Sequence, residues 1–231
     1  MSLSPPSPKL KLPPRSFIHY PDSDGEPMAE NDWQYFCITN TRFMLGQHFK
    51  DQSNVYVGAD LLVYYVEGDP TKSVAPDILV AFDVPKRSRR SFLIWKEGKA
   101  PDVIFEIASE GTWRDDVEWK RGLYLGIGVR EYILFDPTGS YFDPPLQGYQ
   151  LSGLSAAPVP YLPHERGERG IYSPLLKLEI WARPTGDEEA PLALSLYNPA
   201  THSWYRTPDE TAAEVARLQS ELAQLRGEQP K

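Results

Sequence analysis

Three charged side chains interrupt stretches that otherwise read as buried. Glu106 lies within "PDVIFEIAS" (residues 101–109), where the five other residues from Val103 to Ala108 are apolar, the pattern of a strand covered on both faces. Asp77 lies in "APDILV", at the start of the preceding strand. Lys120, in "DDVEWKRGLY", shares a helical face with Val117 and Tyr124 through i, i+3 and i+7 spacing. An ionised carboxylate inside a covered strand is costly unless it is paired or bound to a metal, so the chain must supply a partner. If the two strands are neighbours, Asp77 and Glu106 could share a hard cation. Lys120 could then steady a nucleophile and the charge of a transition state, which completes the set for metal-assisted phosphodiester hydrolysis. Each residue also has a plainer role. Pro-Asp is ordinary turn chemistry, and Glu106 with Lys120 could be a buried structural pair or a lysine that snorkels past an apolar face.

The elements that must position these groups are readable from local pattern. Trp33, Phe36, Cys37, Phe43 and Met44 recur at helical spacing between Met28 and about Phe49, which predicts a first helix with one buried face. "NVYVGADLLVYYVEG" predicts a strand or bulged hairpin, and "APDILVAFDV" and "PDVIFEIAS" predict two strands, each entered through a proline. A helix is expected from about Asp115 to Gly126, with acids at its start and Gly126-Ile127-Gly128 at its end, followed by the strand "REYILFDP". "GYQL", "LLKLEIWA" and the hairpin "LALSLYNPATHSWYRTP" predict short antiparallel strands, with the interval from Ser152 to Arg169 read as loop. The order helix, strands, helix, strand implies a mixed α/β sheet.

Between the two acids runs "PKRSRRSFLIWKEGKAP", in which Lys86, Arg87, Arg89, Arg90, Lys96 and Lys99 alternate with Phe92 and Trp95. Clustered cations neutralise phosphates and aromatic rings stack on unpaired bases, so Lys86, Arg87, Arg89 and Arg90 are candidate nucleic-acid contacts. The same segment also fits a solvated loop with its aromatics in the core.

Composition narrows the classes. The net charge of −8 excludes a uniformly basic coat but not a local basic groove. Cys37 is the only cysteine, so there is no intrachain disulfide, and the four histidines lack metal-ligand spacing. No apolar run approaches the roughly 20 residues of a spanning helix, and the N-terminus lacks the apolar core of a signal peptide, so the expectation is a soluble, cytoplasmic protein without membrane contact.

Taken together, "YPDSDGEPMAENDWQYF", "APDILV", "PDVIFEIAS", "DDVEWKRGLY" and "GVREYILFDP" resemble the Uma-two family of endonucleases, a branch of the PD-(D/E)XK restriction-endonuclease-like superfamily. The resemblance is close from about Tyr20 to Pro137 and looser beyond. It implies a restriction-endonuclease-like three-layer α/β fold, with a C-terminal β extension and a short terminal helix. It also implies a Mg²⁺- or Mn²⁺-dependent endonuclease acting on nucleic acid, with DNA as the expected substrate. By the same resemblance Asp77 and Glu106 are the metal-binding acids. Ala108 stands two residues after Glu106, where the superfamily usually has lysine, and the resemblance implies that this lysine has moved to the next helix as Lys120. Superfamily members often add an acid from the first helix, for which Glu30 is the candidate, although a first-turn acid is also favoured there by the helix dipole. The competing class is a non-catalytic nucleic-acid-binding or assembly module that keeps the nuclease fold.

The domain plan has three parts. Residues 1–15, rich in Pro and Ser, are expected to be disordered; residues 16–207 form the restriction-endonuclease-like domain with its β extension; residues 208–231 form an amphipathic helical tail. In that tail Val215, Leu218, Leu222 and Leu225 follow coiled-coil spacing over about two heptads, which allows either a homodimer seam or packing on the chain's own domain.

Overall fold

The computed structural model describes residues 18–23, 25, 29, 31–163 and 168–226. In chain order the elements are α1 (Asp32–His48), β1 (Val55–Ala59), β2 (Val63–Tyr64), β3 (Ser73–Val74), β4 (Ile78–Phe82), β5 (Phe92–Leu93), α2 (Ile94–Glu97) and β6 (Val103–Ile107). There follow α3 (Trp113–Asp115), a π-helical turn (Asp116–Lys120), α4 (Arg121–Ile127), β7 (Glu131–Phe135), β8 (Leu146–Ser152) and β9 (Ser155–Pro158). The C-terminal part contributes β10 (Arg169–Ser173), β11 (Leu178–Pro184), β12 (Leu192–Asn198), β13 (Ser203–Trp204) and α5 (Pro208–Leu225).

The central sheet has six strands in the order β1-β4-β6-β7-β8-β9. Only the β6–β7 pair is parallel, joined through the helical crossover α3 to α4, so the sheet is mixed. Alternation along its strands separates two cores. Ile78, Val80, Val103, Phe105 and Ile107 face α1 and the second, four-stranded sheet β10-β11-β12-β13. Leu79, Ala81, Ile104 and Leu134 face the layer that carries Tyr124 and Val117. The fold is therefore a mixed α/β sheet flanked by helices, with a C-terminal strand sheet and terminal helix, as the pattern implied. The C-terminal sheet shares the first core: Leu178, Ile180 and Leu196 pack in one cluster with Phe105 and Leu45.

Three local expectations need correction. Spacing predicts Phe36 on the buried face of α1, but it is exposed; Cys37 and Met44 are buried as expected, together with Ile38, Thr41, Leu45 and the polar Gln34. Residues 152–169 are not all loop, because Gly153, at φ 59°, turns the chain tightly and Ser155–Pro158 pairs back on β8 as an edge strand, where Pro158 owes no ladder donor. "NVYVGADLLVYYVEG" is split between two sheets. Asp60, at φ 47°, breaks the chain between β1, which joins β4, and β2, which joins β3 and β5.

Candidate active site

Strand register brings the two sequence-predicted acids together. β4 and β6 pair antiparallel with Ile78 opposite Phe105, and continuing that register by one residue sets Asp77 opposite Glu106. Directly opposed residues of an antiparallel pair project to the same face. That face is the one lined by Leu79 and Ile104, towards the helical layer. The opposition is reinforced through the main chain. Ile107 N–H donates to Asp77 Oδ2 at 2.6 Å, and Asp77 N–H donates to Glu106 Oε2 at 3.4 Å. On the other face, buried Gln34 of α1 donates through Nε2 to the Ile107 carbonyl at 3.2 Å, which ties the first helix to the same strand end.

The crossover helix supplies the cation. Lys120 Nζ lies 3.2 Å from Glu106 Oε1 and 2.8 Å from Asp116 Oδ1. Tyr124 O–H also donates to Glu106 Oε1, at 2.6 Å, and Tyr132 O–H donates to the Asp116 carbonyl at 2.9 Å. Asp116 and Lys120 bound the π-helical turn, a form frequent at functional sites. At the head of the helix, Thr112 donates from its hydroxyl to Asp116 Oδ2 at 3.4 Å, and Thr112 is itself hydrogen-bonded to Ser109 at 2.8 Å.

Three carboxylates, Asp77, Glu106 and Asp116, thus surround one ammonium. Burial, reinforced by the Glu106 charge, pushes the Asp77 carboxyl well above the usual range, with Lys120 opposing the rise. Asp116 is pushed up to about 7 by burial and then by Glu106. Burial disfavours the charged form of Lys120, but Glu106, Asp116 and Asp77 outweigh it and hold its pKa above the ordinary lysine value. With every acid ionised, the cluster carries two more negative charges than positive ones, an imbalance that a divalent cation would neutralise. Asp77 and Glu106 fit such an ion as oxygen donors at the strand ends. Among the described residues no three His, Cys, Asp or Glu side chains converge on one metal position, so a cation here would complete its shell with main-chain oxygen or water.

The family model Uma2, described as "Putative restriction endonuclease", matches residues 27–184. This chain belongs to the Uma2 family. Among solved structures, a putative nuclease belonging to DUF820 from Anabaena variabilis is similar at 20% identity and a TM-score of 0.42, over 58% of this chain and 73% of that one. A comparison with the curated proteins gave no match.

The other sequence-predicted residues of the Uma2 chain fall elsewhere. Glu30 lies outside the described residues. The Arg89 side chain is enclosed and binds Glu97 through two bonds, Nε to Oε1 at 3.0 Å and Nη2 to Oε2 at 2.9 Å, with its guanidinium 4.1 Å from the centre of the Tyr56 ring. Arg87 joins the same Glu97 at 2.9 Å, Arg90 pairs with Asp22, and Lys86 donates to the Phe49 and Lys50 carbonyls at the end of α1. Phe92 is fully buried, and Trp95 packs on Tyr20 beside a small cluster of Leu62, Tyr64 and Leu93. Sequence reasoning passed over Asp116, which it counted only as a first-turn acid, and Gln34. Asp116 had a usable signal, its i, i+4 spacing to Lys120.

Proposed function

We propose that this Uma2 chain is a Mg²⁺- or Mn²⁺-dependent endonuclease that hydrolyses DNA phosphodiester bonds. Membership of a restriction-endonuclease family supports a nuclease. The observation that carries the finer reading is the cross-strand opposition of Asp77 and Glu106 with Lys120 at 3.2 Å from Glu106.

In this reading Asp77 and Glu106 would hold the divalent ion, which supplies charge neutralisation at the scissile phosphate and eases deprotonation of water. Ile107 N–H fixes the Asp77 carboxylate, and Tyr124 O–H fixes Glu106, so neither must reorient to act. Lys120 orients the attacking water and stabilises the negative charge that develops on the phosphoryl oxygens. Asp116 keeps Lys120 charged and restricts it to this side of the strand end. Arg87 and Arg90, whose side chains are 57% and 83% exposed, would contact phosphates in this reading, while Arg89 braces the loop that carries them.

The decisive assay incubates supercoiled plasmid and single-stranded DNA with wild-type protein and with Glu106→Ala, in Mg²⁺, in Mn²⁺ and in EDTA. Cleavage by wild type alone, and only with the cation, is expected. Wild-type protein that binds Mg²⁺ yet cuts neither substrate would favour the non-catalytic nucleic-acid-binding module.

A further inference from the structure

The apolar stripe of α5 is left largely exposed, although Val215 and Leu218 at its base border a groove shared with His48, Trp204 and Tyr205. Val215, Leu218 and Leu222 are each nearly half exposed and Leu225 is 85% exposed. Exposed apolar residues scattered singly are ordinary, but these four share one face at alternating three- and four-residue spacing. The helix does not need that face covered in order to form. Thr207 and Glu210 make a reciprocal capping box, Pro208 opens the first turn, and Arg217 pairs with both Glu214 and Glu221 along the flank. It is a preformed helix with an uncovered ridge.

We infer that the ridge is covered by α5 of a second copy of this chain, lying parallel to the first. In heptad terms Val215 and Leu222 occupy the a positions, and Leu218 and Leu225 the d positions. Val215 at a with Leu218 at d is the combination that favours two strands, whereas Leu222 at the second a position adds apolar surface without that preference. The flanking charges select the direction. Glu214 and Glu221 lie at g, and Gln219 and Arg226 at e. Parallel pairing places Glu221 against Arg226 of the second copy, twice by symmetry, whereas antiparallel pairing opposes Glu214 to Glu221 of the second copy. Charge complementarity therefore favours the parallel arrangement. A parallel two-fold also brings the helix bases together, where Trp204 is 42% exposed close to the start of α5. This added contact matters because about two heptads are marginal by themselves.

The test measures solution mass of the full chain by light scattering across a concentration series. Wild type is expected to be a dimer at tens of micromolar, and Leu218→Glu with Leu222→Glu, which keeps good helix formers, is expected to be a monomer with unchanged far-UV circular dichroism. Direction is read from two further variants. Leu225→Cys should give a disulfide-linked dimer on oxidation, since parallel strands bring residue 225 to residue 225 and the one native thiol, Cys37, is buried. Glu221→Lys should weaken the dimer several-fold, and adding Arg226→Glu should restore it. A monomeric wild type, a dimer that survives the Leu218→Glu and Leu222→Glu changes, or a folded dimer in which Leu225→Cys fails to cross-link would each overturn the inference.

Discussion

Lys120 Nζ lies 2.8 Å from Asp116 Oδ1, closer than its 3.2 Å approach to Glu106. The lysine that the resemblance assigns to catalysis is thus the counter-charge of two buried carboxylates, so the proposed catalytic role requires a structural one beside it. Asp116 anchors the ammonium from within the same helical segment, and Glu106 meets it from the strand end.

Lys120→Met should therefore lower stability in EDTA by roughly 3–5 kcal/mol, the usual consequence of stripping the partner from a buried charge. Adding Asp116→Asn should recover a large part of that loss, since one uncompensated acid is removed. Urea denaturation of both variants measures this, and a single variant as stable as wild type would show that Lys120 is not the compensating charge. Both variants, when folded, should be inactive in the plasmid assay.

The same cluster sets a pH dependence. Asp116 is raised from an ordinary 3.8 to about 7, so the folded state holds its proton more tightly than the unfolded chain. Its contribution to stability is complete below about pH 4 and is lost as pH rises through about 7. Asp77, raised in the same direction, adds the same sign. His48, lowered by burial, and Glu97, lowered by its bond to Arg89, act oppositely, so the informative quantity is the difference from Asp116→Asn. In EDTA, wild type should lose more stability between pH 4 and pH 7 than Asp116→Asn; parallel curves would exclude a raised Asp116.

Divalent cation should raise the melting temperature, because an ion that binds only the folded cluster stabilises it by mass action. Asp77→Asn should abolish the rise and leave the fold intact. Asparagine keeps a side-chain oxygen that can accept from Ile107 N–H, so the strand-end contact survives while the charge is lost. A Mg²⁺-dependent shift of wild-type size in Asp77→Asn would remove Asp77 from the proposed site.

The arginines of the basic segment should separate cleanly. Arg89, its side chain 1% exposed and forked onto Glu97, should cost roughly 3–5 kcal/mol as Arg89→Ala. Arg87→Ala and Arg90→Ala, with exposed side chains, should each cost less than about 1 kcal/mol. If Arg87 and Arg90 contact phosphates, the double variant should bind DNA more weakly with a salt slope lower by about one unit per lost contact. An unchanged slope would leave both arginines to their pairing with Glu97 and Asp22.

Much of this protein is written in short-range signals. The apolar runs of β4, β6 and β7, the helical spacing of α1 and the Thr207–Glu210 cap of α5 are patterns within a few residues, because propensity, alternation and capping act between near neighbours. Glu106 stood out for the same reason: a charge in an apolar run is a local anomaly. What tertiary structure alone decided is which distant groups meet. The opposition of Asp77 to Glu106 depends on the register of β4 against β6, and the bond from Gln34 to Ile107 spans 73 positions. The approach of the Asp116–Lys120 pair to Glu106 likewise depends on how the crossover helix packs on the strand end. Arg89 looks like part of a solvated charge run until Glu97 and Tyr56 enclose it. Register, enclosure and charge balance arise from pairing across the chain, and a string of residues carries no local energy term for them.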